Sequence, residues 1–253
     1  MFADFVRDWL QITKTTIERT TFASYENMVN ARIYKHFRRL GVRLSEVEPK
    51  HIRSLYEEIF KDGYTANTVI HYHAVVRKCF EYAVKNEMIT KNVADLVNRP
   101  KENKYQAKHY TALELQELFE VTADDPMSVP IQLAVYYGLR RSEVLGLRWS
   151  AVDFHKKTIS ICHKVIEETE NGKTIIYCED TLKTKSSYRT LPLISVVEEL
   201  LLKEREKQKT FKKVFKKSYN TKYSDYICVN QMGDLFRPNY ITEHFRWLLK
   251  SII

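Results

Sequence analysis

The chain has 253 residues, of which 44% are hydrophobic, enough to bury one large core or two small ones. Its composition excludes collagen-like, disordered and disulfide-scaffold classes, and no apolar run approaches the roughly 18 residues of a membrane span. Lys and Arg number 41 against 32 Asp and Glu, a net charge of +9 that is compatible with a polyanionic partner but does not identify one. The start, Met1-Phe2-Ala3-Asp4-Phe5, lacks the basic-then-apolar layout of a signal peptide, so a cytoplasmic location is expected. Cys79, Cys162, Cys178 and Cys228 form no close pair. They read as reduced, mostly buried thiols, with no metal site and no cofactor expected.

The first hundred residues read as helices. Phe2, Phe5, Val6, Trp9 and Leu10 keep helical spacing. Thr20-Thr21 is the expected cap of a second helix running to about Arg39, where Gly41 breaks it. Pro49 suits the first turn of a third helix with Ile52, Leu55, Tyr56 and Ile59 on one face, closed by Asp62-Gly63. Thr65 or Asn67 is the candidate cap of a fourth, carrying Val69, Val75, Val76, Phe80 and Val84. A short fifth helix is predicted from about Asn92 to Val97. The polar, proline-containing stretch that follows reads as a linker, which divides the chain into residues 1–100, a linker at 101–108 and a second domain at 109–253.

The second part opens with Thr111 as a helix cap. Further helices are predicted from about Ser128 to Tyr137, ended by Gly138, and from Ser142 to Leu147. The periodicity then switches. Thr158-Ile159-Ser160-Ile161 alternates like a strand, and Asn171-Gly172 between apolar pairs marks a hairpin. Residues 182–193 read as a second hairpin turning near Ser186-Ser187. Helices resume from Ser195 to about Lys207, and from Asn239 onward. Eight basic side chains between Lys203 and Lys217 face only Glu204 and Glu206, either as a solvated helix end or as a phosphate-contacting segment. The fold class is mainly α with a small antiparallel β-sheet.

The most informative stretch runs Gly138-Leu139-Arg140-Arg141-Ser142-Glu143-Val144-Leu145-Gly146-Leu147-Arg148-Trp149. It resembles box I of the tyrosine recombinases, the phage integrase family, with the spacing intact. Residues 182–193, with Lys183, Lys185, Arg189 and Pro192-Leu193, resemble the family's β-hairpin. The first hundred residues are similar to its helical core-binding domain. The resemblance implies a helical core-binding domain followed by an α+β catalytic domain, together clamping duplex DNA. It implies that Arg140 grips two oxygens of the scissile phosphate and that Glu143 orients the site. Lys183 would be the general acid that protonates the leaving 5′-oxygen, with Lys185 as the rival assignment. Lys185, Arg189, Asn67, His71, Arg77 and Lys78 are the remaining candidates for DNA contact.

In the family, a His-x-x-Arg box and then a tyrosine nucleophile follow. After Arg140 this sequence has no His-x-x-Arg; His244-Phe245-Arg246 has the wrong spacing, and Tyr240 precedes the place where the box belongs. The resemblance therefore implies a C-terminally incomplete catalytic domain with no nucleophile of its own, inactive alone, whose complete form works as a tetramer on DNA through a 3′-phosphotyrosyl link. The missing segment would leave apolar surface on the last helix and favour self-association. The alternative is a non-catalytic DNA-binding remnant or regulator that occupies recombination sites.

Overall fold

The computed structural model describes residues 1–107, 109–170, 173–182 and 184–252, and only the backbone of Glu170, Lys185, Ser251 and Ile252. The chain forms two compact units, residues 1–108 and 109–253.

The first unit is built on α1 (Phe2–Thr13), α2 (Arg19–Met28), α3 (Tyr34–Leu40), α4 (Pro49–Lys61) and α5 (Ala66–Lys85). The helical spacing of α1 places Phe2, Val6, Trp9 and Leu10 in the core. Phe2 meets Phe37 edge-on at 4.5 Å between ring centroids and stacks on Phe80 at 4.8 Å. The predicted second helix is not one continuous α-helix. It begins with Glu18 in extended geometry, so Thr20 and Thr21 lie in the first turn rather than at the cap. A π-helical turn at Val29–Ile33 then joins α2 to α3. Val29, Ile33 and Phe37, spaced four apart, are all buried across this turn. Gly41 ends α3 with φ +63°, a conformation available to a residue without Cβ. Thr65 stands at the N-cap of α5 without a side-chain cap bond. In place of the fifth helix there is a 3₁₀ turn, Val93–Leu96, whose first turn is capped by the Asn92 side chain at 3.0 Å.

The second unit contains α6 (Ala112–Val121), α7 (Ser128–Tyr137), α8 (Arg141–Leu145), β1 (Val152–Asp153), β2 (Thr158–Ile161), β3 (Lys164–Glu170), β4 (Lys173–Glu179), β5 (Arg189–Pro192), α9 (Ser195–Phe215) and α10 (Pro238–Ile252). Thr111 and Glu114 close a reciprocal capping box at the start of α6. β3 and β4 pair antiparallel from Lys164↔Glu179 to Glu170↔Lys173, and the Asn171-Gly172 turn lies outside the described residues. The second predicted hairpin does not form among the described residues. Lys185–Ser187 is instead a 3₁₀ turn, and β5 pairs antiparallel with β2 in a three-stranded sheet ordered β1-β2-β5. The physical reason is burial: this pairing sets Leu191 opposite the fully buried Ile159, a non-local partner that a local turn could not supply. α9 runs eight residues beyond its predicted end at 207.

Gly146 permits a close backbone approach in this unit. A Cβ there would stand 2.5 Å from the His163 carbonyl oxygen, so only glycine lets the end of α8 close on β3. All four cysteines are free. Cys79 and Cys228 are buried, but Cys162 and Cys178, at strand ends, are exposed, which corrects the expectation of mostly buried thiols. No described helix is long and apolar enough to cross a membrane.

Candidate active site

The box I turn places its side chains by backbone geometry. α7 stops at Gly138, φ +59°, and Arg140 becomes the extended N-cap residue of α8. Glu143 is then the third residue of the helix, where its carboxylate folds back to accept the Arg140 N–H at 3.1 Å. The same carboxylate accepts Nη1 of Arg140 at 2.8 Å and Nη2 of Arg189, from β5, at 2.9 Å. Arg189 also donates to the Ser187 carbonyl at 2.9 Å. Glu143 is 3% exposed. Burial alone would raise its pKa. The hydrogen bonds from Arg189, from the Arg140 backbone and from the Arg140 guanidinium outweigh burial and hold it below the usual carboxylate range.

The Arg140 side chain is 66% exposed, and Nε and Nη2 have no protein partner among the described residues. One edge of the guanidinium is thus fixed on a buried anion while the other faces solvent. That arrangement suits bidentate capture of two phosphate oxygens, because the fork is oriented before the ligand arrives. Arg189, proposed from the sequence as a DNA contact, turns inward onto Glu143 and is 27% exposed.

A second polar cluster lies eight residues further along the same motif. Arg148 donates to Asp180 at 3.1 Å and to the Tyr226 hydroxyl at 3.2 Å, and its Nη2 lies 2.9 Å from Nε2 of His163. His163 contacts Asp180 at 2.7 Å through Nδ1 and Tyr226 at 2.8 Å through Nε2. Burial pushes the His163 imidazole below its ordinary pKa, with Asp180 opposing. Burial also pushes the Tyr226 hydroxyl up to about 12. The adjoining Trp149 donates its indole N–H to Gln208 of α9 at 3.0 Å. These partners are up to 78 positions apart in the chain, and no sequence spacing pointed to them.

Lys183 lies outside the described residues, and only the backbone of Lys185, in the 3₁₀ turn before β5, is described. In the first unit, Asn67, His71 and Lys78 share one face of α5 by their spacing. His71 and Lys78 are exposed, and Lys78 lies over the Tyr25 ring at 5.4 Å. Asn67 exchanges two hydrogen bonds with the Asn103 backbone at 3.0 and 3.1 Å, which ties the linker to the start of α5. Arg77 pairs with Asp95 at 2.6 Å. Among the described residues, no cluster of His, Cys, Asp and Glu could hold a metal ion. Tyr240 stacks between Phe236 and His244, and His244 pairs with Asp125 at 2.9 Å.

No protein-family model matches the chain. It is similar to a tyrosine recombinase XerC-like protein of Caldanaerobacter subterraneus subsp. tengcongensis, 24% identical over 97% of this chain and 66% of the relative. It is likewise similar to the transposase from transposon Tn916 of Enterococcus faecalis, 25% identical over 85% of this chain and 52% of the relative. The chain thus spans between about half and two thirds of the length of these relatives. Its fold matches the Tn1549 transposon integrase solved in complex with a circular intermediate DNA, with a TM-score of 0.79 at 17% identity, covering 99% of this chain and 78% of that one. The sequence and the fold therefore both resemble those of the tyrosine recombinases.

Proposed function

We propose that this chain belongs to a site-specific DNA recombinase of the integrase type, in which it binds duplex DNA and clamps the phosphate at the exchange point. Residues 1–100 take the core-binding role and 109–253 the catalytic-domain role, working in the cytoplasm and as part of a tetramer on DNA in the complete protein. The observation that carries this reading is the guanidinium of Arg140, held on one edge by buried Glu143 and open on the other. Such a group stabilises the charge that develops on a pentacoordinate phosphate without reorganising as the charge appears. Glu143 and Arg189 hold that geometry, and Lys183, with Lys185 as rival, is assigned the proton that the leaving oxygen needs. On the α5 face, Asn67, His71 and Lys78, flanked by Arg77, supply contacts to the DNA backbone.

The chemistry requires neither metal nor cofactor. No tyrosine of this chain follows a His-x-x-Arg placed after Arg140, so the reading assigns this chain binding and the phosphate clamp but no nucleophile. Fluorescence anisotropy with a duplex of about three helical turns tests it. The wild-type chain should bind with an affinity that falls steeply with salt, and Arg140→Ala should weaken binding and lower the log–log salt slope by about 0.9, one phosphate contact. A nicked duplex should give no covalent adduct. Absent or salt-insensitive binding would falsify the reading.

A further inference from the structure

The basic half of α9 plays no part in the Arg140 cluster. α9 leaves the end of β5 and continues for 21 residues, so Lys212 stands roughly 25 Å along the helix axis from that point. Beyond Leu201 only Gln208 is buried in α9. Arg205, Lys209, Lys212 and Lys213 repeat at helical spacing along one exposed stripe, and Lys216 and Lys217 follow in the 3₁₀ turn. Arg205 lies over the rings of Trp149 and Phe154 at 5.6 and 5.9 Å, which moors the stripe to the body of the unit.

Acidic neighbours are too few to neutralise this stripe. Glu204 turns to Gln208 on the buried side. Glu206 pairs with Lys209 at 2.6 Å, and its charge also feels Lys213. Lys212, Lys216 and Lys217 form no ion pair among the described residues. Lys209 with Lys213 sets like charges one helical turn apart, an arrangement that opposes helix formation. The chain also leaves the helix through Lys216 at φ +46° and ψ −115°, a conformation strained for a residue with a Cβ. Capping the helix dipole accounts for one or two lysines in the last turn, not for a stripe of this length.

We infer that the stripe from Lys209 to Lys217 is a second, sequence-independent binding surface for the phosphate backbone of duplex DNA, separate from the Arg140 clamp. The match is one of charge spacing. Lys209, Lys212 and Lys213 span about 6 Å of the helix axis and Lys216 and Lys217 extend the charge beyond it, while a duplex carries a charge about every 1.7 Å of its axis with both strands counted, so a dense run of cations can reach backbone phosphates without depending on base sequence. The inference rests on the duplex-DNA reading above, and it adds a surface that holds flanking or second-site DNA without reading bases.

The test compares the wild-type chain with a quadruple alanine variant (Lys212→Ala, Lys213→Ala, Lys216→Ala, Lys217→Ala) and its glutamate counterpart. Circular dichroism establishes that each is folded. On a random-sequence duplex, the alanine variant should lower the log–log salt slope by about 3 to 4 and weaken affinity at 0.1 M salt at least tenfold, with a larger loss for glutamate. If the wild type binds steeply and both variants keep its slope, the inference falls while the Arg140 reading stands. If the wild type binds no duplex, both fall. Tighter binding of these lysines to polyglutamate or to phosphatidylserine vesicles than to duplex would replace DNA with an acidic protein or a membrane, and overturn the inference.

Discussion

Arg140 and Arg148 come from one twelve-residue motif, yet the fold uses them in opposite ways. Arg148 donates to Asp180 and Tyr226 and faces His163, and its side chain is 28% exposed. Arg140 is 66% exposed and spends one edge on Glu143. An arginine surrounded by fixed partners braces the structure, here by tying box I to His163 just before β3, to Asp180 just after β4 and to Tyr226. An arginine with one edge anchored and the other open is presented to a ligand. The difference lies in the neighbours: a single buried carboxylate serves two arginines at the first site, whereas the second site gathers a carboxylate, an imidazole and a phenol around one.

That contrast can be broken by mutation. Glu143→Ala should cost the most, about 3 kcal/mol in urea unfolding, because it removes the buried carboxylate that the largely shielded Arg189 donates to and that also holds the Arg140 backbone and guanidinium. A loss under about 1 kcal/mol would mean the carboxylate does not hold the pair. Tyr226→Phe should cost about 1 to 2 kcal/mol by leaving Arg148 and the buried His163 short of a partner, while DNA affinity stays near the wild-type value. A Tyr226→Phe variant that lost DNA binding with unchanged stability would reverse the two assignments.

Acid should separate the clusters. The folded pKa of His163 lies below its ordinary value of 6.5, so below that pH the unfolded chain binds the proton that the folded one resists. Its contribution is present above pH 6.5 and is lost as pH falls, and His163→Gln should remove up to about 1.4 kcal/mol per pH unit from the slope there. His73 of the first unit, also lowered by burial, supplies a remaining slope in the same window. Glu143, whose pKa is depressed, keeps its contribution above its ordinary 4.5 and loses it only on further acidification. One acid limb insensitive to His163→Gln would contradict the separation. The smallest effect on stability belongs to Arg140→Ala, under about 1 kcal/mol because the side chain is mostly solvated, even though DNA binding should suffer. A large loss of stability would make Arg140 a brace like Arg148.

Local rules were legible in the sequence where the physics is local. Helical spacing located α1, α4, α5 and α7, Gly41 and Gly138 marked turns that need positive φ, and Thr111 with Glu114 closed a cap within four residues. The spacing of box I put Arg140 and Glu143 within one turn of each other, so their pairing follows from helix geometry alone. What depended on distant partners was not legible. The π turn at Val29–Ile33 has no local signature in the spacing, and β5 pairs with β2 rather than closing the predicted hairpin, setting Leu191 opposite the buried Ile159, a partner 32 positions away. The inward turn of Arg189 and the Arg148–His163–Asp180–Tyr226 cluster join residues 46 and up to 78 positions apart. The sequence by itself determined which groups are charged, which faces are apolar and where the chain must turn. Only the tertiary structure decided which distant charges meet, as Arg189 does on Glu143, because a buried carboxylate selects such partners by proximity in space, and that proximity is set by packing of the whole unit.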